Sequence, residues 1–271
     1  MLLSAQEAFP MATVKPKFMT PMAIALLAFA LAVAGILLGS LMQRRLPEGY
    51  LSSDSKDIVK LSIGVVATLA ALVLGLLIAS AKSTYSARES ELNKITADVI
   101  LLDILLAKYG EGARAARVLL RQAIPPMVDE IWKEEESAAL RLEPFRPTAE
   151  GEAFFQQVRE LQASNDIQQS LKERMIEVAG DLVETRLLLF SQLGSSIHVP
   201  FLAVLLLWIV VLLAEFSLIA PANAATLSAL LICALSVSGA IFLILELDQP
   251  FSGLMMIRSK SLRNALPPLG A

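Results

Sequence analysis

Leu61–Ala81 reads LSIGVVATLAALVLGLLIASA, and the nearest charges are Lys60 and Lys82 at its two ends. A helix needs roughly 20 mostly apolar residues to cross the hydrocarbon core of a bilayer, because each residue rises about 1.5 Å. Three other stretches read the same way. Phe18–Gln43 is uncharged between Lys17 and Arg44, Val199–Ile219 is interrupted only by Glu215, and Phe216–Leu245 is uncharged, with its helix starting near Asn223. A buried helix of a soluble protein imitates one such stretch. Four of them in 271 residues predict an integral membrane protein surrounded by lipid.

The expected fold class is all-α: four transmembrane helices, with a helical cytoplasmic domain inserted between the second and third spans. The expected divisions are an amino-terminal tail (1–17), a first transmembrane pair (18–81), the helical domain (82–197), a second transmembrane hairpin (198–247) closed by the turn Ala220–Asn223, and a carboxyl-terminal tail (248–271). Lys15 and Lys17 before the first span resemble the start of a secretion signal. The apolar stretch is longer than the ~7–15 residues of a signal core, and Arg44 and Arg45 follow it, so it reads as an uncleaved anchor. Basic residues collect on the side of the two termini and the middle domain, at Lys15, Lys17, Lys82, Arg88, Lys94, Arg186, Arg258, Lys260 and Arg263. The other side carries Arg44, Arg45, Lys56 and Lys60. This bias predicts a cell (inner) membrane protein with both termini in the cytoplasm.

Composition agrees. The chain is 55% hydrophobic and 18% charged, below the quarter usual for soluble domains. A net charge of −3 gives no bulk attraction to nucleic acid, and no nucleic-acid partner is expected. Cys233 and His198 are the single residues of their types, so neither an intramolecular disulfide nor a conventional zinc site is expected, and no cofactor is called for.

Between the second and third spans the apolar residues follow helical spacing. Leu92, Ile95, Val99, Leu102 and Leu106 form a seam for another helix on a continuation of the second span, which Gly110 and Gly112 end. A second helix over Ala113–Glu136 contains Pro125 and Pro126, which predict a kink or a split. Glu143–Pro147 reads as a linker and Thr148 as an N-cap. Ser164 or Asn165 starts a last helix, with Ile167, Leu171, Val178, Leu182 and Leu189 roughly in phase.

Membrane helices associate through small residues that let backbones approach. Ala28, Ala32, Gly35 and Gly39 form such a stripe on the first span. Gly64, Thr68, Ala71, Gly75 and Ala79 form one on the second, and Ala225, Ala229, Cys233, Ser236 and Ala240 one on the fourth. Each reads as packing within one four-helix unit, or else as a subunit interface or pore lining. Ionisable groups at or near membrane depth are candidate ion or polar sites. Glu215 lies one turn from the outer end of its span. Glu246 and Asp248 oppose the helix dipole at the end of the fourth span and call for a partner, with Arg258, Lys260, Arg263 or a bound cation as candidates. Glu91, Asn93 and Asp98 lie on the extension of the second span, where Glu91 and Asp98 share a face, either solvated or lining an ion vestibule. No phosphate-binding, dinucleotide-binding, zinc-protease or nucleophile-elbow motif occurs, and no catalytic residue is expected.

The carboxyl end, AIFLILELDQPFSG over Ala240–Gly253 followed by SLRNAL over Ser261–Leu266, resembles the close of the bestrophin-like domain family of mostly bacterial multi-pass membrane proteins. Its signature here is Asp248, Pro250, Phe251 and Gly253, with Gln249 where the family pattern has a basic residue. Glu91–Ile95, continuing through Ala97 to Leu102 and Asp103, is similar to that family's segment after its second span. The resemblance implies kinship with bestrophins, which are pentameric anion channels with cytoplasmic termini. An acidic run like the bestrophin calcium clasp does not follow Phe251. The expected function is a bestrophin-like homo-oligomeric channel for an inorganic ion, an anion by this resemblance, with the second span lining the pore. The alternative is a non-conducting membrane scaffold or sensor whose helical domain binds a cytoplasmic partner. A transporter ranks third, since no internal repeat or broken span is visible.

Overall fold

The computed structural model describes residues 20–45, 53–137, 148–191, 199–221 and 223–266. The predicted amino-terminal tail, the loop around Pro47 and Gly49, the linker Glu143–Pro147 and His198 lie outside them. The described residues form helices and no strand: α1 (Pro21–Arg45), α2 (Ser53–Tyr109), α3 (Arg114–Ser137), α4 (Ala149–Glu160), α5 (Asp166–Ser191), α6 (Val199–Ile219), α7 (Ala224–Leu247) and the short α8 (Lys260–Arg263). Four of them, α1, α2, α6 and α7, are long and apolar enough to cross a membrane, as the sequence predicts.

Side-chain oxygens set several helix starts. Thr148 accepts from the Gly151 amide at 3.2 Å, Asn165 from Gln168 at 2.8 Å and Asn223 from Thr226 at 2.8 Å. Each satisfies an amide that has no partner within its own helix. Gly110 stops α2 by adopting φ 98°, a conformation open to glycine without a steric penalty. Both prolines of α3 stand inside one continuous helix, which is not split. The buried Ile124, Met127 and Val128 pack on either side of them and hold the turn against the lost backbone hydrogen bonds.

In the apolar half, α1 packs against α6 and α7, and α2 packs against the same two. Helices α6 and α7 touch over only a few residues, although one short turn joins them. They are therefore better described as opposite corners of a four-helix square than as a packed hairpin. The small residues of α1 explain its tight seat. A Cβ on Gly35 would lie 2.6 Å from the Val210 carbonyl oxygen, and one on Gly39 would collide with the Ala214 carbonyl. Ser217 on α6 donates back to the Ile36 carbonyl at 2.8 Å. Replacing Gly39 by Leu is expected to separate α1 from α6, lowering the unfolding temperature in detergent by about 5 °C or more. An unchanged melting temperature would show that this close approach is dispensable.

Helix α2 has 57 residues, about 85 Å, and runs through both halves of the molecule. Ile63, Ala70, Leu77 and Ala81 are buried among the apolar helices. Farther along, Leu92, Ile95, Val99, Leu102 and Leu106 are buried against α3 and α5. The predicted seam is thus filled within the chain. Ile167, expected to share the core phase of α5, is exposed instead, because it lies in the first turn of that helix, ahead of the buried positions that begin at Met175.

Candidate functional site

The buried residues of α2 lie on one side of its axis along its whole length. On the other side a second line runs at helical spacing: Gly64, Thr68, Ala71, Gly75 and Ala79, then Lys82, Ser86, Glu89 and Asn93, then Ala97, Ile100 and Ile104. Every one of these is exposed. A Cβ built on Gly64 or Gly75 meets nothing within 4 Å. The membrane-length window of α2 is only 17% buried, against 28–33% for the other three, so α2 is the span with the most uncovered surface. The line changes in character along its length. It is small and uncharged beside the apolar helices, polar from Lys82 to Asn93, and apolar again at Ile100 and Ile104. Beside it, Leu61, Val65, Leu69, Leu72 and Leu76 form a separate exposed ridge of large apolar side chains.

The candidate residues divide between these two sides. Gly64, Thr68, Ala71, Gly75, Ala79 and Asn93 stand on the open face. Glu91 and Asp98 share a face with each other, but it borders the packed side, and both are half-buried there. Asp98 looks toward Asp181 and Arg174 of α5, and its burial raises the carboxyl above its ordinary value, with Lys94 and Arg174 opposing that rise. The small residues Ala225, Ala229, Cys233 and Ser236 of α7 are exposed as well. Glu215 is half-buried on α6, and one of its carboxylate oxygens is buried without a hydrogen-bond partner among the described residues.

Glu246 and Asp248 are both buried, and their surroundings differ from those expected from the sequence. Glu246 turns back to accept from the Leu254 amide at 2.7 Å, and Arg263 pairs with Asp129 on α3 at 2.9 Å. The cation beside this turn is Arg88 of α2, which is 1% exposed and donates to the Asp248 carbonyl at 3.2 Å. The signature residues build the same turn. Pro250 accepts from the Ile257 amide at 2.6 Å, and buried Phe251 meets Trp132 edge-on with ring centroids 5.4 Å apart. Gly253 adopts φ 81° with the Glu246 carboxylate against the place a Cβ would take. Trp132 donates to the Ile257 carbonyl at 3.1 Å and Tyr85 to the Met255 carbonyl at 3.2 Å, so the turn is tied to both α2 and α3.

Farther along α2, about 30 Å past Ala81 and outside the membrane-spanning segment, Asp103 is 7% exposed in its side chain. Arg117 grips it with two hydrogen bonds of 2.7 and 2.8 Å, and Arg121 adds a third at 3.2 Å. Arg117, with Arg121 behind it, holds the carboxyl below its ordinary value. A depressed acid stabilises the fold above its unfolded pKa of about 4, and that stability fades as pH falls through the lower folded value. Asp103→Asn should therefore cost about 2–3 kcal/mol at neutral pH, with the gap from wild type closing in strong acid. Melting curves across pH check this, and a constant gap would rule out the ion pair as its cause.

Among the described residues no group of three or more His, Cys, Asp and Glu side chains converges to hold a metal ion. Lys82 and Arg88 acquire their places only in the structure. In the sequence both count merely as basic residues flanking a span. A family model described as Bestrophin-like domain matches residues 29–262. No curated protein and no solved structure matches the chain.

Proposed function

The chain belongs to the Bestrophin-like domain family, and from that premise we propose that it is a homo-oligomeric ion channel whose subunits set the open face of α2 around a shared axis. The observation that supports this is the exposed line from Gly64 to Ile104, small and uncharged beside the apolar helices, on the least buried of the four spans. Small residues offer lipid little contact area, whereas around an axis they leave a path wide enough for an ion. The neighbouring ridge of Leu61, Val65, Leu69, Leu72 and Leu76 suits contact with an adjacent subunit.

Lys82 is the first charge along this face beyond the small residues and favours an anion. The excess of basic residues on the helical-domain side favours a cell-membrane protein with that domain and both termini in the cytoplasm. The proposed role is transport without covalent chemistry. A scaffold reading loses its main support, because the seam Leu92–Leu106 is buried inside the chain and offers no groove to a partner.

Purified protein in detergent should run as a symmetric ring, and in liposomes it should pass chloride down a gradient more readily than potassium. A monomer, or a tight oligomer without flux of either ion, would sink the proposal. With flux established, Lys82→Glu should shift the chloride-to-potassium permeability ratio several-fold toward potassium. An unchanged ratio would take Lys82 out of the ion path.

A further inference from the structure

A cavity of about 340 Å³ lies between α3, α4 and α5, with Val99 of α2 at its base. Leu120 and Ile124 of α3, Phe154 and Phe155 of α4, and Gly180 and Val183 of α5 make its walls. The volume falls in the range of small-molecule sites, which are mostly apolar with a few placed polar groups. Val99 stands on the packed side of α2, away from its open face, and neither that face nor the turn after α7 explains the cavity.

Two features describe what it would hold. Among the described residues the buried charge in the wall is Arg186, which is 8% exposed and is neutralised by Glu130 at 2.6 Å. Glu152 lines the cavity and is exposed, in the first turn of α4, and Val183 of α5 is exposed in the same lining. Among the described residues an occupant therefore meets apolar walls, a balanced interior and the exposed Glu152 carboxylate.

We propose that this cavity is a binding site for a small apolar amine, with its hydrocarbon or aromatic body inside and its ammonium group at Glu152. Gly180 leaves the α5 side of the site open, since it is exposed and a Cβ there meets nothing within 4 Å. The site is independent of the pore reading and stands or falls separately from it.

The test uses the full chain in a non-ionic detergent with two probes of matched shape, 3-phenylpropylamine and 3-phenylpropionate. Saturating amine should raise the melting temperature by about 3 °C or more, and the carboxylate should not. Gly180→Leu and Ala123→Phe fill the cavity from opposite walls, and both should abolish the rise. Glu152→Gln, at an exposed position, should keep the fold and weaken the amine several-fold even if the filled variants do not fold. No rise with the amine, or an equal rise in the filled variants, overturns the site. An equal rise with 3-phenylpropionate, or an unchanged affinity in Glu152→Gln, overturns the choice of an amine.

Discussion

Gly75→Leu is expected to reduce ion flux through reconstituted protein at least tenfold while leaving the subunit fold intact. The two halves of that expectation rest on different facts. Nothing lies within 4 Å of a Cβ at Gly75, so the single chain accommodates the larger side chain. Leucine also favours the helix over glycine by up to about 1 kcal/mol, so the subunit should be at least as stable as wild type. Around a shared axis, by contrast, one leucine from each subunit points toward the same small space. Such a ring narrows the path and repels water from it, and apolar constrictions stop ions by dewetting. Stability and flux should therefore move in opposite directions, which a general folding defect does not produce. Gly239 of α7 provides the control, because it too is exposed with nothing within 4 Å of a Cβ. Gly239→Leu should leave flux unchanged. If Gly75→Leu assembles normally and conducts like wild type, α2 does not line the path.

How much of this was legible beforehand depends on whether the signal was local. The cap at Thr148 and the helix starts at Ser164 or Asn165 and near Asn223 are readable because a side-chain oxygen three residues before an amide is a property of adjacent sequence, and the structure makes Asn165 and Asn223 the caps. The seam from Leu92 to Leu106 was readable because period alone places those residues on one side of a helix. Period cannot say which side faces inward. Glu91 and Asp98 do share a face, yet it is the one beside α5 and not the open one. Nor can composition separate two stripes of small residues. Gly35 and Gly39 are pressed against the backbone of α6, while Gly64 and Gly75 meet nothing, and only the packing of the helices distinguishes them. The same holds for α6 and α7, where a short turn suggested side-by-side packing and α1 and α2 occupy the remaining corners. Arg88 was the least legible, since the carbonyl it reaches lies 160 residues farther along the chain.

Arg88→Leu should destabilise the protein by about 2–3 kcal/mol, because the buried Asp248 carbonyl loses a charged donor. Arg88 is buried between α2 and the end of α7, where Glu246 and Asp248 are also buried and the helix dipole adds partial negative charge. Leucine matches the apolar surroundings but supplies no donor to the Asp248 carbonyl and no positive charge. The turn after α7 should then lose its buried tie to α2 and keep the exposed Tyr85–Met255 hydrogen bond and its contacts to Trp132. In a Trp208→Phe background the emission of Trp132 should shift to the red as Phe251 leaves it, at temperatures well below the main unfolding transition. Arg88→Lys keeps the charge without the reach of the guanidinium, and it should recover part of the lost stability. If Arg88→Leu melts with wild type and Trp132 emission stays fixed, the turn is held by its apolar contacts, and the buried charge is a passenger.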